Sequence, residues 1–139
     1  MRMPADGKAF LDTNVLIYAF AKGDRRSDAA EALLLKGGVI GVQTLNEFVA
    51  VAARELAMPW KEILAALSAI RVLFPSPALL TIKTHDRALS IAGRHRLHIY
   101  DALIVAAALE SACKVLYSED MAHGQVIDGL TIRNPFRSL

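Results

Sequence analysis

Residues 9–20 read AFLDTNVLIYAF. The apolar run Ala9–Leu11 stops at a carboxylate, Asp12, which Thr13 and Asn14 follow. A second apolar stretch, VLIYAF, begins at once. Both flanks have the character of buried segments, so the carboxylate between them needs a reason. A short, continuously apolar run of this kind is what a strand covered on both faces looks like.

Similar runs recur at VIGV (39–42), LLTI (79–82), VLYS (115–118) and LTIR (130–133). Helical patterns lie between them. One starts at Asp24 or Ser27 and runs to Lys36, where Gly37-Gly38 ends it. Thr44 opens the next, with Leu45, Phe48, Val49, Ala52 and Leu56 on one face, and Met58-Pro59 stops it. WKEILAALSAIRVLF (60–74) ends before Pro75, with Trp60 read as a packing residue at its start. Thr84 is placed to cap HDRALSIAGRH (85–95), and YDALIVAAALESA (100–112) is a helix almost without a polar face. Strands alternating with helices predict an α/β fold around a mostly parallel sheet. The 139 residues contain no repeat and no dividing linker, so one domain spanning 1–139 is expected.

Composition narrows the class. The chain is 54% hydrophobic and 22% charged, which is globular and rather apolar. A net charge of +2 neither demands nor excludes nucleic acid. The lone Cys113 rules out an internal disulfide and fits a reducing compartment. The opening MRMPADGKAF has no signal-peptide core, and the longest uncharged apolar run, Ala102 to Leu109, is far short of the roughly 20 residues of a membrane span. A soluble, cytoplasmic protein is expected.

In such a sheet, ligands bind outside the carboxyl ends of the strands. Four acids fall there: Asp12 after the first strand, Glu47 near the start of the helix after VIGV, Asp101 at the head of the apolar helix, and Asp120 after VLYS. Each has a plain structural alternative. Asp12 with Asn14 suits an Asx turn or cap, Thr44 and Glu47 have capping-box spacing, Asp101 suits a helix dipole, and Asp120 suits a loop cap. The joint pattern says more. Clustered carboxylates repel and take up protons unless a cation compensates. Oxygen-only donors favour Mg²⁺ or Mn²⁺ over Zn²⁺. Asp12 then ends a buried strand because the strand is a rigid post for a metal ligand, and the expected reaction class is metal-dependent phosphodiester hydrolysis.

The motifs FLDTNVLIY (10–18), TLNEFV (44–49), YDALIVAAA (100–108) and LYSEDMAHGQVIDGLTIRNPF (116–136) resemble, in order, those of PIN-domain ribonucleases, and most closely the VapC-type toxins of bacterial toxin–antitoxin pairs. The resemblance implies a three-layer α/β/α sandwich, Mg²⁺- or Mn²⁺-dependent endoribonuclease activity and restraint by a cognate antitoxin. It places the acidic site at Asp12, Glu47, Asp101 and Asp120, with Asp12 and Asp101 as direct metal ligands and Asn14 and Ser118 in support. Glu119 adjoins Asp120; the motif register favours Asp120 as the inward acid.

Other features stay open. The basic stretch RHRLH (94–98), and Lys22, Arg25 and Arg26, suit either RNA phosphates or solvated loops. His95 and His98, without nearby cysteines, do not make a zinc site. The apolar excess of VLIYAFA and ILAALSAIRVLF suits core packing, a homodimer face or an antitoxin groove. Two rival functions are a non-catalytic RNA- or protein-binding module of the same fold and a phosphoaspartyl phosphatase. The phosphatase expects a second Asp two residues after Asp12, where this chain has Asn14.

Overall fold

The computed structural model describes residues 8–139, so the polar opening MRMPADG lies outside the described residues. The first strand, β1 (Ala9–Leu11), runs straight into α1 (Thr13–Phe20), with Asp12 as the joint. Then come α2 (Ser27–Lys36), α3 (Val42–Arg54), α4 (Trp60–Leu73), α5 (Ile82–His95) and α6 (Ile99–Glu110). Three more strands close the chain: β2 (Val115–Tyr117), β3 (Val126–Ile127) and β4 (Leu130–Arg133).

The sheet order is β1-β2-β4-β3. β1, β2 and β4 are parallel, and β3 pairs antiparallel with β4. Successive residues of a strand face opposite sides, and two separate apolar clusters follow from this. Phe10, Leu116 and Ile132 pack with Ala88 and Ile91 of α5 and with Ala102 to Ala108 of α6. Leu11 packs with Val15 and Leu16 of α1, Leu34 of α2, Phe48 of α3 and Ile63 and Ile70 of α4. Helices thus cover both faces: the alternating pattern predicts the α/β fold, and the sandwich is the one that the family resemblance implies.

α6 is buried on every side over Ala102–Ala108, in keeping with its missing polar face. Four of those seven residues are alanine. Small side chains let neighbouring elements approach closely without a large cavity to fill.

Several boundaries differ from the sequence reading. VIGV forms no strand. It reaches the sheet through single parallel bridges, Phe10 to Val39 and Gly41 to Ala78, and α3 already begins at Val42. Thr44 is therefore not the N-cap. It lies inside the first turn, fully buried, and its hydroxyl accepts from the Gly41 N–H at 3.0 Å. With Thr44 displaced, the Thr44–Glu47 capping box does not exist, and Glu47 sits one turn further in. LLTI is not a strand either. Thr81 and Thr84 exchange hydroxyl-to-backbone bonds of 3.2 and 3.3 Å and start α5 at Ile82, which overrides the β-propensity of the run. Leu79 and Ile82 are left largely exposed. Trp60 does stand at the head of α4, but at 61% exposure it packs little. The missed element is β3. Its signal is the Asp128-Gly129 pair, both at positive φ, as a two-residue hairpin turn requires.

Gly38 marks where the chain returns beside β1. It has φ +145°, and a Cβ there would stand 2.7 Å from the Ala9 carbonyl oxygen. That approach lets Val39 N–H donate to Ala9 O at 2.8 Å. Gly38→Ala should therefore destabilise by more than about 1 kcal/mol. Gly93→Ala, in the body of α5 with nothing near its Cβ position, should stabilise by about 0.5–1 kcal/mol. Urea unfolding of the two variants checks both signs.

Candidate active site

Asp12 leaves β1 with its backbone N–H tied to the Tyr117 carbonyl at 3.0 Å, so the ends of β1 and β2 are fastened together. Its Oδ1 accepts from the Thr13 N–H at 2.7 Å and caps α1. Its Oδ2 accepts from the Ser118 hydroxyl at 2.8 Å. The cap and the cavity position coexist, because each carboxylate oxygen keeps a second lone pair.

The other acids arrive from separate elements. Glu47 reaches in from α3; it accepts from the Thr13 hydroxyl at 2.9 Å and from Gln43 Nε2 at 3.2 Å. Asp101 stands in the first turn of α6, partly buried. Asp120 follows β2, its N–H donating to Ser118 Oγ and its Oδ2 accepting from Asn14 Nδ2, both at 3.2 Å. All four line one open cavity of about 660 Å³, and so does Asn14. Ser118 lies wholly buried behind Asp12. Glu119 turns away from the cavity, bonded to Tyr18 and Arg26.

The cavity is strongly acidic. Among the described residues its lining carries five carboxylates, the four above and Glu55, against one cation, Arg54. Burial pushes the Asp12 carboxyl up to about 7; the bonds from Ser118 and Thr13 oppose this, and the charges of Asp120 and Glu47 add to it. Asp101 is also raised, first by burial and then by Asp120, with His98 pulling the other way. Such a set is short of positive charge. The donors on the lining are oxygens and amides, with no Cys or His, which fits a hard divalent cation. Among the described residues, no three His, Cys, Asp or Glu side chains converge into a ready-made metal cage. A Mg²⁺-like ion does not need one, since it keeps several waters and takes one or two protein carboxylates.

Sequence reasoning missed several residues on this cavity. Thr13 orients Glu47 across 34 positions. Tyr100 is a half-exposed ring on the lining, stacked on His98 with centroids 5.5 Å apart. A hydroxyl beside a capping Asp, and an aromatic beside an acid at a helix start, were the available signals. Of the candidate phosphate contacts, Arg26 is committed to Asp24, Tyr18 and Glu119, and Arg94 to Asp128 at 3.0 Å. Arg25 Nη1 donates to the Leu139 carbonyl.

The raised Asp12 value has a definite consequence for stability. The fold prefers the protonated form, so its contribution is fully present below about pH 4 and is lost as pH rises through about 7. Asp12→Asn removes this loss. In EDTA, the variant's melting temperature should gain on the wild type between pH 4 and pH 8, by an amount worth up to a few kcal/mol. A pH-independent difference in thermal scans would contradict the assignment.

Residues 9–126 match the family model of the PIN domain. No curated protein matches the chain. Among solved structures it is similar to a toxin–antitoxin complex from Klebsiella pneumoniae, with TM-score 0.69 and 23% identity over 93% of this chain and 98% of that one. It is similar to VapC20 of Mycobacterium tuberculosis, a sarcin–ricin loop cleaving toxin, with TM-score 0.66 and 20% identity over 80% and 88%. VapBC2 from Rickettsia felis, bound to a DNA fragment from their promoter, gives TM-score 0.63 and 19% identity over 91% and 97%. With the family model covering most of its length and the same fold in these toxin structures, the chain belongs to the PIN-domain family.

Proposed function

We propose that the chain is a Mg²⁺- or Mn²⁺-dependent endoribonuclease, the toxin of a toxin–antitoxin pair. One observation carries the proposal: Asp12, Glu47, Asp101 and Asp120 come from four separate elements to line one cavity to which, among the described residues, a single cationic side chain contributes. Carboxylates gathered on one cavity with so little positive charge serve a cation better than they serve the fold.

In this reading Asp12 and Asp101 hold the ion, which when bound supplies Lewis acidity to a phosphodiester and lowers the pKa of a water. Ser118 and Thr13 fix the Asp12 carboxylate, and Asn14 fixes Asp120. Glu47 or Asp120 takes the proton from the attacking water. Arg54 offers a phosphate contact, and the exposed face of Tyr100 offers a surface for a base.

The partner follows from similar reasoning. The Klebsiella structure is a toxin–antitoxin complex. This chain has a second groove of about 680 Å³, lined largely by apolar residues that include Phe20, Leu56, Met58 and Ala66, with Lys22 and Glu62 at its edge. Its walls are the end of VLIYAFA, the connection from α3 to α4 at Leu56–Pro59, and the start of α4 at Glu62, Ala65 and Ala66. We assign it to an apolar segment of the antitoxin.

The protein, purified free of antitoxin, should cleave RNA with Mg²⁺ or Mn²⁺ and not in EDTA. Asp101→Asn should lose more than ~100-fold of that activity while melting normally, beyond the 10–100-fold typical of losing an outer-shell partner. A folded Asp101→Asn protein that still cuts would remove the ligand assignment. Wild type that binds RNA but never cuts would favour the non-catalytic module. RNA affinity, measured with this uncleaving variant, should fall steadily with added salt as counterions are released; a flat response would argue against backbone recognition.

A further inference from the structure

Asp120 sits on a loop held from two sides. On the inner side, Asn14 accepts the Glu119 N–H at 3.3 Å and donates to the Asp120 carboxylate at 3.2 Å. On the outer side the anchor is the Glu119 carboxylate. Arg26 Nη1 donates to both of its oxygens at 3.1 Å, and the Tyr18 hydroxyl donates to Oε1.

The anchor is itself braced. Arg26 Nε and Nη2 each donate to Asp24 at 2.9 Å. Its guanidinium also lies 3.7 Å from the Tyr18 ring centroid, and that ring meets Phe136 edge-on at 5.1 Å. Tyr18 lines the acidic cavity on one side and grips Glu119 on the other. The arrangement resolves a problem that the sequence sets. Glu119 and Asp120 are adjacent acids of the same charge, and the longer, more mobile glutamate can compete for any cation near the cavity. With Glu119 held by Arg26 Nη1 and the Tyr18 hydroxyl, and Arg26 fixed in turn by its fork on Asp24, the neighbouring Asp120 faces the cavity alone.

We propose that Arg26, together with Tyr18, is a positioning residue that acts through Glu119 to set Asp120 in the site. The inference rests on the nuclease reading, since that reading gives Asp120 its role. Arg26 touches neither the cavity carboxylates nor, in this account, the substrate. Its effect is indirect and should vanish when Glu119 cannot be held.

The test uses the full chain with two readouts: amide hydrogen exchange at Glu119 and Asp120 without metal, and Mn²⁺ affinity by titration. The variants are Arg26→Gln, Arg26→Lys, Tyr18→Phe, Glu119→Gln and the double substitution of Arg26→Gln with Glu119→Gln. Arg26→Gln should speed exchange at the two loop amides while those of β2 and β4 hold, and, because Asp120 adds its negative charge to the cavity where Asp12 and Asp101 hold the ion, weaken Mn²⁺ binding about 10-fold. Tyr18→Phe, which keeps the ring, should act in the same direction but less. The double variant should be no worse than Glu119→Gln alone, since the two residues act as one unit. Arg26→Lys should recover only part, because an ammonium cannot bind Asp24 through a fork and Glu119 through a third nitrogen at once. Unchanged loop exchange and Mn²⁺ affinity in Arg26→Gln, or losses that simply add in the double variant, would overturn the proposal. A wild type that binds no Mn²⁺, indistinguishable from Asp101→Asn, would overturn the nuclease reading instead, and the exchange readout would still decide whether the clamp acts on the loop.

Discussion

The hydrogen bond from the Ser118 hydroxyl to Asp12 Oδ2, 2.8 Å long and wholly buried, is the contact on which the rest of the site depends. It joins the residue that ends β1 to the residue that follows β2. The same hydroxyl oxygen accepts the Asp120 N–H, so one small side chain sets two carboxylates relative to each other. Apolar side chains at either position would leave the neighbouring donors and acceptor unpaired in a dry place, at a cost of roughly 1–3 kcal/mol each. Serine and aspartate are the economical solution for a strand end that must stay polar inside a core.

Repulsion is the opposing force. The sheet brings acids together that would separate in water, and burial pushes Asp12 and Asp101 toward the protonated form. The protein offsets this locally with neutral donors: Thr13, Ser118, Asn14 and Gln43 each give a hydrogen bond to one of the acids. Among the described residues no ion pair reaches these four acids; the pairs fall on Asp24, Glu119 and Asp128 outside the cavity, and on Glu55 at its lining, 4.0 Å from Arg54. Neutral donors hold a carboxylate in place while leaving its charge available. Arginine partners would have neutralised it. The distribution of cations is thus as informative as that of the acids.

What could be read from the chain follows physical lines. β1 and β2 were readable because burial on both faces forces continuous apolar runs, and β4 because buried Leu130 and Ile132 alternate with partly buried Thr131 and Arg133. Residues 39–42 and 79–82 look the same but serve single bridges and a helix start, and composition does not separate these uses. β3 is two residues long and half exposed, so only its Asp-Gly turn announces it. The four cavity acids stood out as a set because strand ends and helix starts are local features. The Thr13–Glu47, Arg26–Glu119 and Tyr18–Glu119 contacts did not, since they join residues 34, 93 and 101 positions apart. Nor could the residues alone say which of Glu119 and Asp120 turns inward. That choice is made by a side chain far upstream.

The burial of α6 on every side bears on how this sequence can vary over time. Most helices keep one face in water and can rotate or slide slightly to absorb an altered neighbour. Ala102–Ala108 leave α6 no such face, so a change in volume behind it must move the whole rod, Asp101 included. Interior drift that other proteins tolerate silently is passed on here to the cavity mouth. Selection on activity would therefore reach into the core, through residues that never approach the acids.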